Sequence, residues 1–347
     1  MKVKLKLLLK TGIAILIALV FNWTFFNSIQ SYTRIMLHEM CTYDGNIDSL
    51  VVGGSEVFKA YDAKKASTLM KQNVFNAGSA SQQLGGSLAV IKEVSKYHKV
   101  KTIYLDMGFQ RNQSNKEGEL QTYILTDYFR FGLNKYKFLF ETAGFKGIQN
   151  DIMPCIHRNG NPRDVVRGKL SKDYRNFGYK NVTHPTEEYA GDGFVYTFKH
   201  AKQGDYFEIA ENINSNQVLS KYAERKLEQI TKFCRENNIK LVLVETPLPD
   251  ATLSKENYQP YVNYMRAYAN KNKLVYLNFN LLKKGNMDLT YEDYFDAAHL
   301  SGKGAEKFTK VFARIAQIAS DSKNKADQLF YSSYKEKLLN NADETVR

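Results

Sequence analysis

The sequence predicts an α/β fold: a parallel sheet with helices on both faces, a large insertion, and one N-terminal transmembrane helix. Three observations carry this. Short apolar runs alternate with stretches of helical period in two blocks, about 45–110 and 215–320. Roughly a hundred residues between the blocks do not follow that alternation. No charge separates Lys10 from Arg34.

The N-terminal segment sets the compartment. Lys2, Lys4 and Lys6 precede, and Lys10 sits in the first turn of, a run from Leu7 to about Phe26 that is close to the length needed to span a bilayer. Phe25-Phe26-Asn27-Ser28 offers bulky side chains where a signal peptidase requires small ones, so an uncleaved anchor is expected over residues 1–30, with a cleaved signal peptide as the alternative. Positive charge stays cytoplasmic, which places the rest of the chain outside the cell membrane. That remainder keeps +9 of the formal +13 once the four leading lysines are set aside. A basic domain there attracts anionic lipid or an anionic cell-surface glycopolymer, and the compartment argues against nucleic acid.

The first αβ block begins with a buried strand over Ile47 to Val52, closed by Gly53-Gly54. A second strand is expected at Asn73-Val74-Phe75 before the Gly78 turn, a helix over Gln83 to Tyr97, and a third strand over Val100 to Met107. In the second block, Leu219, Ala223, Leu227, Ile230 and Cys234 recur at helical spacing, and Asn237-Asn238 ends that helix. Ile239 to Val244 reads as the fourth strand and Tyr258 to Asn270 as a helix that tolerates Pro260 in its first turn. Leu274 to Leu277 is the fifth strand, and Gly304 to Ala319 the final helix. These blocks form one extracytoplasmic domain, 31–325, with the insertion at about 111–215 and a charged, peripheral tail over 326–347. The insertion is rich in Tyr and Phe, which build its own core or stack on sugar rings, and part of it, about 118–141, reads as helix.

Composition excludes several classes. With 43% hydrophobic and 24% charged residues the chain is globular, not disordered or collagen-like. Three cysteines make no disulfide scaffold and no CxxC pair. There is no phosphate-binding glycine loop and no zinc-ligand spacing, so no cofactor and no metal is expected.

Two stretches carry candidate chemistry. Gly53-Gly54-Ser55 follows the first strand, where a sharp turn exposes the Ser55 hydroxyl at the head of a helix. Asp296-Ala297-Ala298-His299 precedes the last helix. An Asp three residues before a His can hold one ring nitrogen, which leaves the other to take a proton from a serine.

The order Gly-x-Ser after the first strand, Asn-x-Gly after the second and Asp-x-x-His before the last helix resembles the SGNH (GDSL-type) hydrolase superfamily. The anchor, with Val51 to Phe58 and Val74 to Gln82, is most similar to its membrane-anchored members, the DltD-like proteins and the SGNH partners of MBOAT acyltransferases. The resemblance implies the three-layer, flavodoxin-like SGNH sheet. It implies Ser55 as nucleophile, His299 as general base and Asp296 as its orienter. Gly54, Asn76, Gly78, Ser81 and Gln82 fall at oxyanion or binding positions, with the oxyanion held by the Ser55 N–H and a backbone N–H of the second-strand loop. The activity implied is a serine acyltransferase or esterase acting on D-alanyl or acetyl esters of a polymer such as teichoic acid, with an MBOAT-type acyltransferase as partner. The alternative is an accessory protein that keeps the fold and binds the polymer or that acyltransferase. The sequence departs from the family at Gly54, where an Asp is usual, and at Ser81, where a Gly is usual. Its third block, Leu105 to Gln110, has no Asn, and Gln82, Gln110 and Asn112 are the candidates to replace it.

Overall fold

The five apolar runs expected as strands become strands within two residues of their expected bounds. In the computed structural model, which describes residues 2–26, 30–108, 114–156, 158, 160–202, 218–254 and 258–345, β1 is Ser49–Val52, β2 Val74–Asn76, β3 Thr102–Asp106, β4 Glu187–Gly191, β5 Phe194–Thr197, β6 Lys240–Glu245 and β7 Val275–Asn278. Five of them pair in parallel in the order β2-β1-β3-β6-β7. Numbered within the sheet this is 2-1-3-4-5, the flavodoxin-like order, and ligands in such sheets bind beyond the strand C-termini where the order reverses, between β1 and β3.

Both faces of the sheet are covered, as parallel sheets require. Leu50, Val52, Ile103, Leu105, Leu241 and Leu243 pack to one side under helices Tyr32–Thr42, Leu84–Val94, Lys221–Glu236 and Tyr258–Asn272. Their alternates Val51, Tyr104, Val242, Val244 and Leu277 pack to the other, under Ser55–Ala60, Ala63–Met70 and Gly302–Asp321. Each such side chain contributes roughly 1.5–3 kcal/mol by leaving water. The helix expected to be final starts at Gly302 rather than Gly304, because the Ser301 hydroxyl caps it by accepting the Gly304 N–H, and two more helices, Lys323–Asp327 and Tyr334–Thr345, follow it.

The insertion is a layer of its own, with helices Glu119–Thr126, Leu133–Ile152 and Pro162–Leu170 and the antiparallel hairpin β4–β5. The stretch expected as helix over about 118–141 is broken between Thr126 and Leu133, and its second part continues to Ile152 through a kink at Gly144, where φ is +60°. The kink folds the two arms back on each other, so that Lys135 and Asp151, both buried, pair at 2.6 Å. Tyr123, Phe129, Phe138, Tyr174 and Tyr189 are buried, while Phe131 and Phe140 are exposed. Short, partly polar strands gave no sign of the hairpin. Its turn seals the end of β2: the Asn76 N–H donates to Asp192 O at 3.0 Å. Gly193, at φ +82°, lies where any Cβ would run into the Asn76 carbonyl.

The tail expected to be peripheral from residue 326 is partly built into the fold. Ala326, Phe330, Tyr331 and Tyr334 are buried, and the Tyr331 N–H donates to Leu281 O at 2.8 Å. Scattered charges between them hide this apolar set from a compositional reading.

One described helix, over Lys4–Phe25, is long and apolar enough to cross a membrane. Its far end is tied to the insertion. Asn22 Nδ2 donates to Ile152 O at 2.9 Å, and Lys169 Nζ donates to Trp23 O at 2.6 Å.

Candidate active site

The turn after β1 has no room for side chains. A Cβ on Gly53 would sit 2.8 Å from Asp106 Cβ and 2.6 Å from Val57 Cγ2. Gly54 is the N-cap of the helix that Ser55 opens. Its φ of −86° is open to any residue, so glycine there is not a backbone requirement. Ser55 is thereby held at the switch point, with its N–H at the positive end of the helix.

The second stretch forms a tight loop. The Phe295 N–H donates to His299 O at 2.8 Å, and the Thr252 hydroxyl pins Ala297 O at 2.8 Å. Asp296 Oδ1 accepts the Ala298 N–H at 2.8 Å and the His299 N–H at 2.9 Å. Both its oxygens face His299 Nδ1, at 2.8 and 2.9 Å. Burial works to raise the Asp296 pKa, but the hydrogen bond and charge of His299, with the two backbone N–H groups, outweigh it and hold the carboxyl below its ordinary range. Across 244 positions of sequence, His299 Nε2 lies 2.7 Å from Ser55 Oγ. The three residues therefore sit in the Ser-His-Asp arrangement, nucleophile to base to orienter.

The residues expected at the oxyanion have other partners. Asn76 is fully buried, and its Nδ2 donates to Val57 O at 2.8 Å and Tyr61 O at 2.9 Å. Its Oδ1 accepts the Gly78 N–H at 3.1 Å. Asn76 thus clamps the Ser55 helix against the second-strand loop and does not face the triad. Gly78 is needed for that approach, since its Cβ would sit 2.9 Å from Phe58 N. Gln82 is buried, accepts the Ser79 hydroxyl at 2.7 Å and donates to Ser87 Oγ at 3.2 Å. Ser81 is exposed, with φ +53°, a left-handed conformation that glycine takes more readily. The side chains of Asn76 and Gln82 therefore do not supply the donor that a third-block Asn would give. Gln110 and Asn112 lie outside the described residues. Among the described residues, the Ser55 N–H at the helix start is a donor placed beside the hydroxyl.

Asn76→Ala strips three backbone groups, Val57 O, Tyr61 O and the Gly78 N–H, of their partner in a buried site and should cost about 3 kcal/mol of stability. A lowered midpoint in denaturant unfolding is the expected readout. An unchanged midpoint with slower turnover would return Asn76 to the oxyanion.

Sequence reasoning missed the support under the nucleophile turn. Asp106, buried at the end of β3, accepts the Thr246 N–H at 3.1 Å and the Thr246 hydroxyl. Thr246 Oγ1 in turn lies 3.2 Å from Tyr61 OH. The available signal was a lone carboxylate ending the run Thr-Ile-Tyr-Leu-Asp. Beside His299, Lys59 pairs with Glu187 at 2.5 Å and lies 4.3 Å over the Phe295 ring.

A family model matches residues 205–321, a stretch that carries Asp296 and His299. No curated protein matches the chain. Among solved structures, the chain is similar to a GDSL-like lipase from Bacteroides thetaiotaomicron VPI-5482, at 12% identity over 81% of this chain and 95% of that one, with a TM-score of 0.38. It is also similar to an acetyl xylan esterase from the rumen bacterium Butyrivibrio proteoclasticus, at 10% identity over 80% and 66%, with a TM-score of 0.33. At those scores the likenesses add nothing to the strand order and the triad, which stand by themselves.

Proposed function

We propose that the protein is a membrane-anchored serine acyl hydrolase or acyltransferase of SGNH type, working at the outer membrane surface. The hydrogen-bonded line Ser55–His299–Asp296 at the sheet's switch point carries the reading. In this mechanism His299 Nε2 takes the Ser55 proton as Oγ attacks an acyl-ester carbonyl, and Asp296 stabilises the imidazolium. The Ser55 N–H holds the oxyanion. The carbonyl re-forms as the ester C–O bond breaks, His299 protonates the leaving alkoxide, and an acyl-Ser55 ester remains. Water or an acceptor hydroxyl then attacks that ester, giving its proton to His299, and the acyl–Oγ bond breaks as His299 passes that proton to Ser55 Oγ. An acetyl or D-alanyl ester of an anionic surface glycopolymer is the substrate that the resemblance and the basic charge support, and an MBOAT-type acyltransferase is the partner the resemblance supports.

The test is to trap the intermediate. Full-length protein is mixed with p-nitrophenyl acetate, quenched in acid and digested. An acetyl mass on the Ser55 peptide is expected, absent from His299→Ala. Adding a glycopolymer acceptor separates the two outcomes, since transfer moves the acetyl to polymer and hydrolysis releases acetate. A folded protein that never acylates would leave the accessory reading.

A further inference from the structure

A cavity of about 600 Å³ opens beside the nucleophile loop, within the size range of small-ligand sites. One part of its lining adjoins the nucleophile turn: Phe58 stands one helical turn from Ser55, and Gly78 packs so near that turn that a Cβ on it would lie 3.0 Å from the Gly54 carbonyl. Tyr32 and Met36, from the first helix after the membrane helix, line it as well. Ile124 and Val165 of the insertion complete the lining. The lining is mostly apolar, and its two charges, Asp127 and Arg158, are paired with each other. Such a lining offers no uncompensated charge for an ionic group and favours a hydrocarbon chain. The same insertion grips the outer end of the membrane helix, so the cavity lies on the side of the domain where lipid is at hand.

We propose that this cavity holds the hydrocarbon chain of a membrane-borne acyl ester and presents its carbonyl to Ser55. The proposal rests on the serine-enzyme reading and extends its substrates from short acyl groups to long ones drawn from the bilayer.

The full-length protein in lipid nanodiscs is assayed on p-nitrophenyl octanoate and p-nitrophenyl acetate. Ile124→Trp fills the cavity from one side and Val165→Trp from another. Each should lower the octanoate-to-acetate ratio of kcat/KM by at least about tenfold, while fluorophosphonate labelling of Ser55 reports that the fold and triad persist. An unchanged ratio in both labelled variants would overturn the proposal. A second arm is independent of catalysis. Ser55→Ala protein is irradiated with a diazirine-bearing palmitoyl ester and digested. Cross-links in the peptide around Tyr123 and Ile124, lost in Ile124→Trp, support the cavity as a chain site even if Ser55 proves unreactive. Cross-links confined to the Lys2–Phe25 helix would overturn it, as they would if a second copy or a partner's helix filled the cavity instead.

Discussion

Ser55→Ala is expected to lower turnover of an activated acyl ester on the order of 10⁶-fold, with no change in the unfolding midpoint. The size follows from the geometry. In the proposed mechanism Ser55 Oγ is the atom that bonds to the substrate, and His299 Nε2, 2.7 Å away, accepts its proton. Removing either group removes the same covalent route. His299→Ala should therefore cost about as much, and the double variant little more than either one. The residual rate would come from substrate binding and the Ser55-position N–H, which alanine keeps. Stability should hold, because the hydroxyl is partly exposed and the helix N-cap is Gly54, not Ser55. Steady-state kinetics with single-turnover acylation decides the matter. Losses that multiply in the double variant would mean that Ser55 and His299 act separately, and the triad reading would fail.

The sheet was legible because a parallel strand buried on both faces must be apolar throughout, and few other elements are so short and so apolar. Ser49–Val52, Lys240–Glu245 and Val275–Asn278 lie within two residues of where their composition puts them. The triad was legible because its chemistry requires particular residue types at fixed points of the topology, and Asp296 and His299 are close enough in sequence to read as a pair. What the sequence hid was contact between distant polar groups. Asn76 looked like an oxyanion residue because its position in the loop was readable, whereas its bonds to Val57 O and Tyr61 O are set by how the Ser55 helix packs. The Asp106–Thr246–Tyr61 chain spans three elements. The hairpin β4–β5 escaped for another reason: half-polar strands held by a Gly191-Asp192-Gly193 turn have little apolar signal, and their register depends on docking against Asn76.

Asp296→Asn should lower kcat by about 10⁴-fold while leaving KM for small esters little changed. The asparagine fits the same space, and its carbonyl can still accept the Ala298 and His299 N–H groups that now hold Asp296 Oδ1. Its amide then points donors at His299 Nδ1. To accept them, the imidazole must carry its proton on Nε2, and that nitrogen can no longer accept the Ser55 proton. The loss would thus come from the wrong tautomer, not from a collapsed loop. Stability should separate the two in the acid range. The Asp296 carboxyl has a native pKa below its ordinary value, so ionised Asp296 stabilises the fold above the unfolded carboxylate value of about 3.9. That contribution disappears as pH falls through the lowered native value. Wild type should therefore exceed Asp296→Asn in stability at neutral pH, and the gap should close below about pH 4. Unfolding curves from pH 7 to 2, beside pre-steady-state rates, measure both. A gap that stays constant over that range, or a full rate in the variant, would show that Asp296 does not carry charge against His299.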